Sequence, residues 1–162
     1  MFRRFRENYE EQLRIEKERL NNMSEKELLI EMIMELKKKL YVGAELDVAK
    51  HIQASMLPCI FPAFPERSEI DIYATMEPAK EVGGDFYDFY KLNDTTVAFL
   101  AADVSGKGIP AAMFMMTAKT IIKDLAESGM PVNEIFTKAN EKLCENNESG
   151  MFVTAWMGIL DL

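Results

Sequence analysis

No proline occurs before Pro58, and then Pro58, Pro62 and Pro65 follow one another closely. Proline lacks the amide a helix needs and pushes its predecessor toward extended geometry. A helix can therefore run as far as Leu57, and the stretch from Pro58 to about Ser68 must be irregular. This divides the chain into a helical arm, residues 1–57, and a globular part, residues 58–162. Within the arm Gly43 is the one weak point for a helix. Ser24-Glu25-Lys26-Glu27, just ahead of Leu28-Leu29-Ile30, matches a capping box, so the helix breaks or restarts near Asn21-Asn22. From there Leu29, Ile33, Leu36 and Leu40 repeat at steps of four, three and four, which lays an apolar stripe along one face. Such a stripe needs a partner. A parallel homodimer of coiled-coil type is its natural use, and packing on the chain's own globular part is the alternative.

Beyond the prolines the periodicity changes. Ile70, Ile72, Ala74 and Met76 alternate with Asp71, Tyr73 and Thr75, the pattern of a half-buried strand. Residues 85–92 read as a second strand, closed by the turn signal Asn93-Asp94. Thr96–Ala102 is apolar on both faces and reads as a central strand covered above and below. Pro110 suits the first turn of a helix reaching about Glu127, with Gly129 just past its end. That helix is apolar almost all round, which predicts burial on more than one side. A second helix covers roughly 133–144, and 151–162 is a final strand. The fold class is α+β.

Composition narrows the function. Net charge is −8, which argues against a nucleic-acid partner. Phe2-Arg3-Arg4-Phe5-Arg6 is the one basic-aromatic cluster; it suits a membrane surface, the cut end of a preceding domain or a frayed helix end. Cys59 and Cys144 are far apart and fit ordinary thiols in a reducing, cytoplasmic setting. His51 is the sole histidine, which leaves little for a histidine metal site or a Ser-His-Asp triad. No apolar run reaches the ~18 residues of a membrane span, and no secretory signal opens the chain.

The chemistry concentrates in two glycine-rich turns that flank the buried strand. Val82-Gly83-Gly84-Asp85 precedes one strand, and Ala102-Asp103-Val104-Ser105-Gly106-Lys107-Gly108 leaves its neighbour. A hairpin would bring Asp85 and Asp103 together. Two carboxylates without histidine or thiolate suit a hard cation such as Mg2+ or Mn2+. Taken one at a time, each turn also fits a structural role with a capping aspartate. Ser105-Gly106-Lys107-Gly108 resembles a P-loop but fails its pattern, since Ala101 stands where the first glycine belongs and Gly108 where Ser/Thr belongs. Ser105 has no base near it in sequence to make it a nucleophile. Lys107 fits either a phosphate contact or a solvated loop cation. Asp88 fits a place near the site or a polar edge or surface position.

Pro78–Tyr90 (PAKEVGGDFYDFY), Ala102–Met115 (ADVSGKGIPAAMFM) and Met151–Leu162 (MFVTAWMGILDL) together resemble the sporulation-E branch of the bacterial metal-dependent Ser/Thr protein phosphatases, the PPM family. Glu45–Pro58 is similar to the helical segment that leads into that domain. The resemblance implies an αββα sandwich, incomplete in this chain, behind a helical arm. It implies two Mn2+ or Mg2+ ions that activate water for attack on a phosphoserine. Asp85 and Asp103 would be metal ligands, Asp103 bridging both ions, with the Val104 carbonyl beside them. The implied substrate is a phosphorylated protein of the anti-sigma-factor-antagonist class. The family domain runs well beyond the equivalent of Leu162, and its further metal-binding aspartates lie there; Asp161 is not a substitute. The expectation is therefore the N-terminal part of a phosphatase domain, inactive alone and prone to self-association. The alternative is a non-catalytic dimerisation and docking module with a pseudo-phosphatase domain.

Overall fold

The computed structural model describes residues 2–145 and 147–162; the side chains of residues 2–5 and 7 lie outside the description, and with them most of the basic-aromatic cluster. The chain forms two compact units, 1–45 and 46–162.

In the first unit, α1 (Phe2–Asn21) ends and α2 (Glu25–Met56) begins where the capping box sits. The Glu27 carboxylate accepts the Ser24 backbone N–H at 2.9 Å and the Ser24 hydroxyl at 2.7 Å. In return the Glu27 N–H reaches the Ser24 hydroxyl at 3.4 Å. Arg19 binds Glu16 at 2.6 Å and also Glu31, a link between the helices on either side of the break. Leu29, Ile33, Leu36 and Leu40 are all exposed.

The second unit begins inside α2, before the prolines, because Gln53 and Leu57 are buried within it. Its sheet is antiparallel, in the order β1 (Phe86–Lys91), β2 (Thr96–Val104), β3 (Val153–Asp161). Helices α3 (Ile109–Glu127) and α4 (Val132–Cys144) follow β2; α3 lies on β1 and β2, and α4 on α3. Strand alternation sends Phe86 and Tyr90 of β1, Ala98, Leu100 and Val104 of β2, and Met157 of β3 into the core. They meet Ala111, Met115, Ala118, Ile122 and Leu125 of α3 and Ile135 and Ala139 of α4 there. The α3 residues repeat at three, four and seven, the spacing of one face. Phe114, Met116 and Ile121 beside them are partly buried against the core, and α3 packs on both the sheet and α4, so burial on more than one side is borne out; Ile109 and Met113 stay exposed.

Two expectations change. Residues 70–76 alternate in burial as a half-buried strand would, yet no strand forms there. Two-residue alternation determines which side chains face inward, but a strand also needs a neighbouring backbone. Here the Tyr87 hydroxyl donates instead to the carbonyls of Pro58 (2.7 Å) and Ala74 (3.3 Å). β2 is central, but its second half is not covered on both faces: Ala101 and Asp103 are exposed opposite the helices, as is Trp156 on β3.

Candidate metal centre

The β1–β2 register pairs Phe86 with Ala102. One step further, Asp85 stands across from Asp103, and by parity both leave the sheet on the face away from α3. Directly opposed residues have Cβ atoms about 4.5–5.5 Å apart, and like charges there repel. The two carboxyls face one cleft. The neighbouring Asp103 carboxyl, then burial, then the Asp103 charge hold the Asp85 pKa above the ordinary carboxylate range.

The glycines make the approach possible. A Cβ at Gly84 would lie 2.8 Å from the Val104 carbonyl oxygen, 3.0 Å from Val104 Cβ and 3.3 Å from Ala111 Cβ. Only glycine lets the Asp85 turn nestle against the end of β2, where the Val104 N–H donates to the Gly84 carbonyl at 3.4 Å. On the other side a Cβ at Gly83 would meet Pro78 Cβ at 3.0 Å. Past Asp103 the chain turns through Gly106 (φ 92°) and Gly108 (φ 75°), left-handed conformations that favour glycine, into the N-terminus of α3.

Asp85, Asp103, Gly83, Gly84, Gly106, Lys107 and Lys80 line one cleft of about 270 Å³. Lys107 is thus brought to the carboxylate pair. The sequence reading overlooked Lys80, whose stem passes Gly108 so closely that a Cβ there would meet it at 3.8 Å. Its position five residues before Asp85 carried no periodic or motif signal of its own. Gln53 was also overlooked: it is 1% exposed, and its side chain bonds both backbone groups of Gly83. Its spacing of four from Leu57 on α2 was the one hint that it faces inward.

Other candidates resolve as structural. Asp88 is neither near the site nor at the surface: it points into the core and binds Lys119 at 2.6 Å. The Ser105 hydroxyl accepts the Phe152 N–H at 2.9 Å, tying the exit of β2 to the entry of β3. Asp161 accepts the Thr96 hydroxyl at 2.9 Å, as an ordinary cross-strand partner. His51 Nδ1 bonds the Asp47 carbonyl one helical turn back, at 2.7 Å. Cys59 and Cys144 are free and exposed.

Two carboxylates and two lysines line the cleft; Val104 is not among its lining residues, and its carbonyl lies against Gly84. The oxygen chemistry of the carboxylates fits a hard divalent cation. Among the described residues, no group of three or more His, Cys, Asp or Glu side chains gathers to hold a metal.

Residues 93–162 match the family described as Stage II sporulation protein E (SpoIIE). That match takes in β2, α3, α4 and β3. The chain is 32% identical over 113 residues to phosphoserine phosphatase RsbU of Bacillus subtilis, a match covering 70% of this chain and 32% of RsbU. It is 34% identical over 106 residues to protein IcfG of a Synechocystis species, covering 65% of this chain and 16% of IcfG. The chain thus spans about a third or less of the curated relatives it matches. The fold is similar to that of the SiaA PP2C domain of Pseudomonas aeruginosa, with a TM-score of 0.60 at 21% identity, over 77% of this chain and 50% of that one. The SpoIIE-type match begins at Asn93, so Asp103 lies inside it and Asp85 before it.

Proposed function

We propose that this chain belongs to a metal-dependent phosphoserine phosphatase acting on a phosphorylated protein in a cytoplasmic partner-switching pathway. The supporting observation is the register that sets Asp85 across from Asp103 with Gly84 closed against the Val104 carbonyl. Two like charges so placed weaken the fold unless a cation offsets them. Asp85, Asp103 and the Val104 carbonyl would hold Mn2+ or Mg2+. When bound, a pair of such ions supplies charge neutralisation at the phosphoryl oxygens and lowers the pKa of a water. Lys80 and Lys107 place positive charge at the cleft rim, where a phosphoryl group carries negative charge. RsbU and RsbP are named phosphoserine phosphatases, which favours phosphoserine as substrate; an anti-sigma-factor antagonist as its carrier is what the family resemblance implies. No helix among the described residues is long and apolar enough to cross a membrane.

A second reading has a specific observation behind it. Only two carboxylates converge at the described site, fewer than a two-ion centre needs. The chain alone would then act as a non-catalytic association and docking module. Exposed Leu29, Ile33, Leu36 and Leu40 on α2, and Trp156 on β3, offer surfaces for a second copy. Sedimentation showing a monomer at all concentrations would remove the self-association part.

The decisive assay is Mn2+-dependent release of phosphate from a phosphoserine protein. It should compare this chain, the chain extended to the length of a whole PP2C domain, and the extended form carrying Asp103→Asn. Activity in the extended form alone, lost in the variant, is expected. No activity in a folded extended form would favour the docking module. Activity unchanged by Asp103→Asn would refute the site.

A further inference from the structure

The buried end of α2 holds the loop that delivers Asp85. Gln53 sits in the last turn of that helix and is 1% exposed. Its Nε2 donates to the Gly83 carbonyl at 2.6 Å, and its Oε1 accepts the Gly83 N–H at 3.1 Å. One side chain therefore fixes both backbone groups of a residue two positions from Asp85, in the manner of a strand neighbour. The opposite side of the same loop is fixed by Gly84 against Val104. The dipeptide Gly83-Gly84 is clamped between α2 and the end of β2, and Asp85 leaves the clamp toward Asp103. Leu57, one turn beyond Gln53, is buried in the core, so the helix end is itself held.

We propose that Gln53 is a positioning residue for the metal centre: its carboxamide sets the reach of Asp85 toward Asp103, so cation affinity at the pair depends on the last turn of α2. The inference rests on the reading of Asp85 and Asp103 as cation ligands. It adds that the helix entering the domain forms part of the support of those ligands. The amide suits this task because it offers a donor and an acceptor in one plane, with no charge to attract the cation itself. Leucine at this position would leave both Gly83 groups without their partner. Glutamate would keep the acceptor for the Gly83 N–H but set an oxygen against the Gly83 carbonyl.

The test is Mn2+ binding by the chain, followed as loss of the free-ion signal in electron paramagnetic resonance, for Gln53→Leu, Gln53→Glu, Asp85→Asn and Ser55→Ala. Ser55 lies on the same helix and bonds only back to the Ile52 carbonyl in its own turn, so it serves as the control. Loss of a residue that supports a metal ligand commonly lowers affinity by about ten- to a hundredfold. That loss is expected for Gln53→Leu, a smaller one for Gln53→Glu, and none for Ser55→Ala. Amide hydrogen exchange of the metal-free proteins separates positioning from global stability. Gly83 to Asp85 should exchange faster in Gln53→Leu while the amides of β2 keep their protection. Binding that Asp85→Asn abolishes and Gln53→Leu leaves unchanged would overturn the role of Gln53 and leave the metal centre standing. Binding unaffected by Asp85→Asn, or absent from the unaltered chain, would overturn the metal reading and this role with it. Affinity lost in step with protection across the whole of β2 would mark Gln53 as merely structural and overturn the proposal.

Discussion

Lys119→Met should be among the most damaging single changes in the unit 46–162. Lys119 lies on the inward face of α3, and its ammonium meets Asp88 of β1 at 2.6 Å. The side chains are 9% and 4% exposed, so neither charge has much water. The second Asp88 oxygen takes the Phe89 N–H at 3.0 Å, which leaves no other cation for the carboxylate among its described partners. The surroundings are dry and already negative: burial, then the Asp88 and Glu127 charges, push the Tyr90 phenol well above its ordinary pKa. Removing one partner of a buried ion pair strands the other charge, at a cost of about 3–5 kcal/mol. For a unit of this size 1 kcal/mol moves the melting temperature by about 3–4 °C, so a fall of about 10–20 °C is expected. Trp156, the sole tryptophan, lies in β3, so its fluorescence during urea unfolding reports this unit and not the arm. The compensated variant Asp88→Leu/Lys119→Met removes both charges and should recover most of the loss, because an apolar pair of similar volume commonly matches a buried ion pair. A cost below about 1 kcal/mol for Lys119→Met would show that the pair is screened like a surface bridge. A double variant no more stable than the single one would show that packing, not charge, dominates. Either result refutes the reasoning.

Gly84→Ala should cost about 1–3 kcal/mol, the usual penalty for overpacking, because its Cβ would fall 2.8 Å from the backbone oxygen of Val104, which cannot rotate away; calorimetry checks this, and Gly43→Ala, with nothing within 4 Å in the middle of α2, should instead raise helix stability by about 0.5–1 kcal/mol. At the α1–α2 break, the Ser24 hydroxyl and then its amide hold Glu27 below the ordinary carboxylate pKa. A depressed acid stabilises the fold above its unfolded pKa and loses that contribution as pH falls through the folded value. Protection of the amides at residues 24–28, taken against their intrinsic exchange rate at each pH, should therefore fall on acidification through and below the carboxylate range. Glu27→Gln should flatten that dependence, and an unchanged profile would refute the cap as its source.

Local chemistry made much of this legible in advance. The capping box at Ser24, the turn at Asn93-Asp94, the Pro110 helix start and the Gly129 helix end are each decided within a few residues, and each stands where the sequence puts it. The pairing of Asp85 with Asp103 was also readable, because a short hairpin leaves few registers and the apolar run between the turns selects one. Residues 70–76 show where such reasoning fails: their alternation is real, but whether an extended segment gains a strand partner depends on what backbone the rest of the fold brings beside it. The burial of α3 on more than one side was legible, since a helix apolar almost all round must be covered by more than one element, here the sheet and α4.

Sequence by itself determined the helical arm, the α+β order of elements and the two aspartate turns, because short-range sterics, capping and periodicity act within a turn or a strand. Only the tertiary structure decided that Asp88 serves Lys119 rather than the cleft, that Lys80 joins Lys107 at its rim, and that Gln53 supports Gly83. Gln53 and Gly83 are 30 positions apart and Asp88 and Lys119 are 31. Contacts of that range follow from which faces of separately formed elements are pressed together. No spacing along the chain encodes them, because the burial that makes them strong exists only once the core has closed.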